Sequence, residues 1–488
     1  MTSSVSTVGS ISSAGLGSGL DVNSIITQLM AVESKPLDAL KTSATGLNTK
    51  ISTFGKIQSL FSTLQDKANA LTSLTLWGQT TATPSDTTAI KVSTSSGSTA
   101  GSYSVNVTKL AVAQTVTAAA QPSADSALNA GTLTIELGTW TGDTNNPFTA
   151  KSGSSPVTVE ISESDTSLTT IRDKINAAGA GVVASIVNDA SGARLSIRSK
   201  DTGAENAFRI TASETFDDGD DTQGLSILNY DQGGGTSQMT LGTNAADAQL
   251  QINGIAVRSA SNTLTNVVDG LNLTLLKETT SPVSVAVAAD TASVKSKITD
   301  FVTAYNDIAN QLRTQTAYNA DTKTAGTLQG DSAAVSLLNQ LRSVINVSSS
   351  ASSTFSRLSD VGITMGADGT LSVDDTKLTN AMGNLPELKN LLTASGADNA
   401  STGFIRRYKA LADAALSTGG TFDSKTTSLK SMLSRNSKSQ DDMQNRLDQT
   451  EARLRRQYTA LDTQMSSLNS LSSYVSQQMA ILAKNSSA

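Results

Sequence analysis

The sequence predicts an α+β multidomain protein in which long terminal helices form a coiled-coil or helical-bundle leg and an antiparallel β-rich head is inserted between them. Three observations predict this. Leucine repeats at every seventh position near the C-terminus, a three- and four-residue apolar rhythm runs from Asn48 to Leu74, and between Gln79 and Ala289 the rhythm becomes two. Steps of three and four mark one-sided helices, and alternation marks half-buried strands.

In chain order, Ile25, Ile26, Leu29 and Met30 make a short amphipathic helix that must stop or kink near Pro36, because proline lacks the backbone N–H and crowds the preceding turn. Ile51, Phe54, Ile57, Leu60, Phe61, Leu64, Ala68, Leu71 and Leu74 then line one helical face.

The head follows. Tyr103–Val107, Thr132–Glu136, Val157–Ile161, Arg194–Ile197, Leu271–Leu275 and Val283–Val287 alternate apolar with Thr, Ser or other polar positions, as half-buried antiparallel strands do. Leu168, Ile171 and Ile175, ending at Gly179, interrupt them with one helix. The Gly/Asp-rich stretch Asp217–Gly224 and the triplet Gly233–Gly235 read as loops separating two β units.

Helical period returns at Asp290, an N-cap residue type, with Val294, Ile298, Phe301, Val302, Tyr305, Ile308 and Leu312 on one face. A second helix starts near Asp331. Ile363–Met365 and Leu371–Val373 make a hairpin turning at Asp368-Gly369, and short helices follow to Leu416.

After Gly420 the chain contains neither Gly nor Pro. Leu447, Leu454, Leu461, Leu468, Val475 and Leu482 occupy one heptad track, the spacing of a coiled-coil seam. A helix over Asp441–Leu482 would be roughly 60 Å long. Asp442/Arg446 and Glu451/Arg455 stand four apart in its first half, each pair supporting a helix by about 0.2–0.5 kcal/mol. After Asp462 only Lys484 is charged. The stripe suits an intramolecular hairpin between the chain ends, packing between subunits, or both. The expected domains are therefore 1–46 plus 421–488, a leg partly disordered when unassembled; 47–78 plus 291–420, an inner helical domain; and 79–290, the head.

Composition narrows the chemistry. Charged residues are 16% of the 488 and the net charge is −6, which argues against nucleic acid as a partner. With no Cys and no His, disulfides, thiolate nucleophiles, imidazole bases and the usual metal ligands are excluded. No uninterrupted apolar stretch approaches 18 residues, so no membrane insertion is expected, and the N-terminus lacks the pattern of a cleaved secretory signal.

Candidate motifs reduce to bland readings. Gly15-Leu-Gly-Ser-Gly19 lacks the spacing and the following lysine of a phosphate loop. Asp217, Asp218, Asp220 and Asp221 lack the spacing of a calcium loop and read as a solvated turn. Arg446, Arg453, Arg455 and Arg456 alternate with acids, as an exposed helix face does. No catalytic, cofactor-binding or metal-ligating residue is assigned, and no cofactor is expected. The candidate functional residues are those of helix packing and assembly: Ile25, Ile26, Leu29, Met30, Leu447, Leu454, Leu461, Leu468, Val475 and Leu482.

The segment Gly15-Leu-Gly-Ser-Gly-Leu-Asp-Val-Asn-Ser-Ile-Ile-Thr-Gln-Leu-Met30, with Glu33 and Pro36-Leu37, resembles the N-terminal signature of the bacterial flagellar filament cap family, hook-associated protein 2. The run Gln457-Tyr458 through Leu461-Asp462, Met465, Leu468 and Ser473-Tyr474-Val475 to Gln478 is similar to that family's closing helix. Ile252-Asn-Gly254, Ser261-Asn-Thr263, Val268-Asp-Gly270-Leu271, Phe301-Val302 with Tyr305-Asn306, Gly326–Asp331, Leu358–Ile363 and Asp368–Leu371 follow in family order. Residues 79–245 match only in β character.

The resemblance implies a homo-oligomeric cap of five subunits at the distal tip of the flagellum. It implies that this cap promotes polymerisation of exported flagellin without enzymatic activity and leaves the cell by the flagellar type III route. It also implies flagellin, hook–filament junction proteins and a flagellar export chaperone as partners. The alternatives are another axial protein, a flagellin or junction protein, and a surface adhesin acting through the β head.

Overall fold

The computed structural model describes residues 21–143, 147–216, 219–233 and 237–485. Its α-helices are, in chain order, α1 (Val22–Glu33), α2 (Lys35–Thr72), α3 (Leu74–Gly78), α4 (Leu168–Ala177), α5 (Thr291–Thr316), α6 (Ser332–Ile345), α7 (Asp375–Met382), α8 (Leu385–Thr393), α9 (Phe404–Leu416) and α10 (Thr421–Asn485). Two compact units emerge, one formed by the residues up to Ser73 together with those from Ala292 on, the other by Leu74–Thr291. Among the described residues no helix is long and apolar enough to cross a membrane.

The first unit is helical with two small hairpins. Asp21 starts α1 by accepting a hydrogen bond from the Ser24 N–H at 3.0 Å, satisfying one of the donors a helix leaves free at its start. The chain breaks at Ser34, and α2 resumes at Lys35 with Pro36 in its first turn, where a missing N–H costs nothing. The stop near Pro36 is therefore real, but the helix expected from Asn48 already begins at Lys35. Gly46 lies on an exposed face of it, and its cost of about 1 kcal/mol is offset by buried Leu37 and half-buried Leu40, Ala44 and Leu47. The expected boundary at residues 46 and 47 thus falls inside one continuous helix.

Phe54, Ile57, Phe61, Leu64, Ala68 and Leu71 form the buried face of α2, as their spacing predicts. Helix α10 runs antiparallel to it, as two contacts show: the Phe422 ring meets Phe61 edge-on at 5.2 Å, and the Lys425 ammonium stands 5.7 Å from the centre of the Phe54 ring. Lys425 also pairs at 2.6 Å with Asp331, the residue whose carboxylate caps α6. With no Gly or Pro after Gly420 to stop it, α10 starts twenty residues before the Asp441 expected from its charge pairs and spans 65 residues, roughly 95–100 Å. Helix α5 buries the predicted face, including Val294, Ile298, Phe301 and Tyr305. The predicted hairpin Ile363–Met365 with Leu371–Val373 is tied to α5 by Asn306, whose side-chain amide donates to Leu371 O at 2.8 Å and accepts from Leu371 N at 2.7 Å.

The second unit is β-rich and contains two cores. One five-stranded sheet has the spatial order Thr80–Pro84, Val283–Ala289, Gly101–Lys109, Ala248–Ile252, Ile255–Ser259, and a three-stranded sheet is formed by Thr263–Val268, Leu271–Leu275 and Ile90–Thr94. Their shared core holds Ile90, Val105, Leu250, Leu273 and Val285. The other core, around Leu133, Ile135, Ile171, Ile197 and Phe208, joins α4 to sheets built from strands within Thr115–Thr243.

The second core is thus an insertion into the first. Asp217, Asp218, Gly234 and Gly235 lie outside the described residues, and the cores do not divide at these loops: Leu225, Ile227, Leu228, Tyr230 and Met239 all belong to the inserted core. The chain crosses between cores at residues 111–115 and 243–248. The crossings were hidden because Leu110–Ala113 is apolar and joined to the return strand by reciprocal bonds, Val112 N to Ala246 O at 2.9 Å and Ala246 N to Val112 O at 3.1 Å.

Candidate assembly surface

The candidate residues of the chain ends divide by what covers them. On α1, Val22 and Ile26 are buried, Ile25 and Met30 half-buried, and Leu29 exposed. On α10, Leu447 is buried and Leu454 half-buried. Leu461, Leu468, Val475 and Leu482 are 44%, 58%, 51% and 62% exposed. One heptad track therefore does two jobs, packing within the chain at its start and facing outward from Leu461 on.

The covered part has coiled-coil spacing. Phe422, Thr426, Leu429, Leu433, Asn436, Gln440, Met443, Leu447, Thr450 and Leu454 alternate steps of four and three, and each is buried or half-buried. Four seam positions are polar, Thr426, Asn436, Gln440 and Thr450, and two of them pair, the Gln440 amide donating to Asn436 Oδ1 at 2.6 Å. A polar pair in a two-helix seam weakens it while fixing its register. Further along, α1 lies beside α10, with Arg455 paired to Glu451 at 2.8 Å and reaching Asn23 Oδ1 at 3.4 Å. Half-burial persists to Ser466, and from Ser467 to Ala483 every side chain of α10 is exposed.

That last stretch also carries exposed Leu471, Tyr474, Met479 and Ile481, which lie beside the track of Leu461, Leu468, Val475 and Leu482. At 100° per residue, the apolar residues from Leu461 to Leu482 span roughly 200° of the helix circumference. A helix that packs on a single neighbour needs a stripe of about 100°. The segment is wide enough for two. Val32 of α1, 62% exposed, adds a smaller apolar spot; Met443 and Tyr458 are half-buried in the covered part.

The other motifs stay quiet. Gly15–Gly19, Asp217 and Asp218 lie outside the described residues. Asp220 folds its own turn, accepting from Thr222 N at 3.0 Å and Thr222 Oγ1 at 2.6 Å, and these bonds hold its carboxyl below the usual carboxylate range. Its lone pairs are engaged locally.

Comparison with known proteins assigns most of the chain. The families described as flagellar hook-associated protein 2 N-terminus and C-terminus match residues 18–114 and 245–470, and the flagellin hook IN motif matches residues 132–201, inside the inserted β core. The chain is 34% identical over 485 residues to flagellar hook-associated protein 2 of Escherichia coli strain K12, covering 96% of this chain and 98% of the relative. It is 30% identical over 491 residues to that of Salmonella typhimurium, covering 98% and 100%. In structure it is similar to the D1-D2-D3 domains of the flagellar cap protein FliD from Escherichia coli, with a TM-score of 0.58 at 30% identity, covering 78% of this chain and 99% of that one.

Proposed function

The chain belongs to the flagellar hook-associated protein 2 family, the flagellar cap proteins, and from that premise we propose how its parts do the work. It is a structural protein of the flagellar tip and not an enzyme. It acts as a closed homo-oligomer of five subunits, promoting polymerisation of exported flagellin and preventing its loss. The terminal helices serve as the leg, the helices between residues 291 and 420 with their partner stretch of α2 as an inner support, and the β-rich unit as the head. Flagellin, the hook–filament junction proteins and a flagellar export chaperone are its partners, and it reaches the tip by the type III route without a cleaved signal.

The observation that carries this reading is the outward-facing stripe Leu461, Leu468, Val475 and Leu482. A fully buried aliphatic side chain contributes about 1.5–3 kcal/mol, while ordering costs about 1–2 kcal/mol per residue of backbone. One partial contact therefore cannot hold this segment, whereas neighbours on two sides of a 200° stripe can.

The test is Leu468→Asp in a motile host lacking the native gene. The variant should be made and exported with β-rich unit and inner helices folded, yet leave flagellin monomer in the medium and filaments short. Normal filaments from the variant would remove the stripe from the mechanism.

A further inference from the structure

We propose that the loop Thr202–Asn206 is a latch that locks the inserted β core onto the core that carries it, turning a two-strand pivot into a rigid mount. The chain itself joins the cores by two crossings, at residues 111–115 and 243–248, which pair at Val112 and Ala246. A pair of strands crossing side by side leaves rotation about their own direction free. The loop leaves the inserted core after Ser199 and makes three contacts, one on each crossing and one on the carrier. Gly203 N donates to Val112 O at 3.3 Å, on the outgoing strand. Ala204 N donates to Asp247 Oδ1 at 2.8 Å, on the returning strand. Thr202 Oγ1 donates to Ala260 O at 2.7 Å, in the turn between two carrier strands. The Ala260 contact lies outside the two crossings and so fixes an orientation that they alone do not.

Both sides of the latch are stiffened from behind. Asn206 is buried and donates from its side-chain amide to Thr202 O at 2.6 Å, while its own carbonyl accepts from the buried Ser199 hydroxyl at 2.5 Å. On the carrier, Asn262 bonds both backbone groups of Ala111, at 2.8 Å each, so the outgoing strand and the Ala260 turn move together. Gly203 is what allows the close approach. Its φ of +105° disfavours any side chain, and a Cβ there would stand 2.6 Å from Ala260 Cβ and 2.7 Å from its Cα. These are backbone and near-backbone atoms that cannot swing away. The inference does not depend on what the cap binds, because it concerns only whether the β-rich unit moves as one body.

The chain has no Cys, so two introduced thiols can be spin-labelled without background. Ala190→Cys, on an exposed tip of the inserted core, and Ser281→Cys, on an exposed carrier loop, are placed in the full-length protein and the distance distribution is read by pulsed electron resonance. The expected result is one narrow distribution, widened at least twofold by Gly203→Val and by Asp247→Ala, with circular dichroism unchanged. A second pair within the inserted core, Ala190→Cys with Ser164→Cys, should stay narrow throughout. A parent distribution already as wide as the variants', or folded variants that leave the width unchanged, overturns the proposal. Should Gly203→Val not fold, Asp247→Ala and Thr202→Val decide it by the same reading.

Discussion

The rings of Tyr305 on α5 and Tyr408 on α9 meet edge to face, with centroids 5.6 Å apart and planes at 79°, yet their hydroxyls fare differently. Tyr305 donates to Gly369 O at 3.2 Å, which pins the Asp368-Gly369 turn to the helix. The buried Tyr408 hydroxyl meets no partner among the described residues. Tyr305→Phe should therefore cost about 0.5–1.5 kcal/mol, the net worth of a hydrogen bond, whereas Tyr408→Phe should be neutral or gain about 1 kcal/mol, because a desolvated hydroxyl is removed. Urea unfolding of both variants checks this; equal losses would show that the rings and not the hydroxyls carry the difference.

The same pair makes the helical unit sensitive to alkali. Burial pushes Tyr305 up to about 12 and Tyr408 well above its ordinary value, the latter helped by the neighbouring tyrosine. Below about pH 10 folded and unfolded chains hold the same protons and these groups give no pH dependence. From there towards 12 the unfolded chain loses its phenolic protons while the folded one keeps them, so stability falls as pH rises, by about 1.4 kcal/mol per pH unit for each tyrosine. Urea midpoints between pH 9 and 11.5 should show this decline. The double Phe variant should remove it from the helical unit and leave the share of Tyr230, which burial and then the Asp231 charge push up to about 12.

Gly46 and Gly55 sit inside α2 with nothing within 4 Å of where a Cβ would stand. No packing demands their smallness, so Gly46→Ala and Gly55→Ala should each raise stability by about 0.5–1 kcal/mol through helix propensity. Gly403→Ala is the contrast: its Cβ would come within 2.5 Å of Leu392 and Thr393 backbone atoms, and the substitution should destabilise. Thermal melts of the three variants decide the matter.

How much of this was legible depended on whether burial and residue type kept step. The strands of the head were readable because their Val, Ile and Leu alternate with less buried polar residues, as in Val157–Ile161 and Leu271–Leu275. The insertion of one core into the other was not readable, because the chain crosses in the apolar stretch Leu110–Ala113 while described residues on both sides of its Gly/Asp loops belong to one core. Helix α2 was clipped because Pro36 and Gly46 look like breakers when neither helix start nor exposed face is known. The heptad track was plain, but Leu447 and Leu468 are the same letter. What separates them is where α1 begins along α10, fixed by Asn23 facing Arg455, and no local pattern encodes that.

The β-rich unit draws both its cores from within itself, and its first and last strands, Thr80–Pro84 and Val283–Ala289, pair with each other. A fragment of residues 74–291 should therefore fold alone, with the chain ends brought together by that pairing. Circular dichroism should show a β-rich spectrum and a cooperative melt. An unfolded or helical fragment would mean that the helical unit is needed to close the sheet.

The stretch from Thr463 to Ala483 is helical in the structure but contains no charged side chain to form four-apart pairs, and serine is a weaker helix former than alanine or leucine. From Ser467 onward none of its side chains is covered. Helices without tertiary contacts are marginal in water even with good formers. In the dissociated monomer its amides should therefore exchange with solvent orders of magnitude faster than those around Phe422 and Leu429, which pack on α2. On assembly, burial of Leu468, Val475 and Leu482 should slow them to the level of the covered half. Hydrogen exchange followed by mass spectrometry on monomer and assembled cap measures both states. Strong protection of residues 463–483 in the monomer would show that the helix stands without a neighbour, and the exposed stripe would then be a finished surface rather than one that folds on contact.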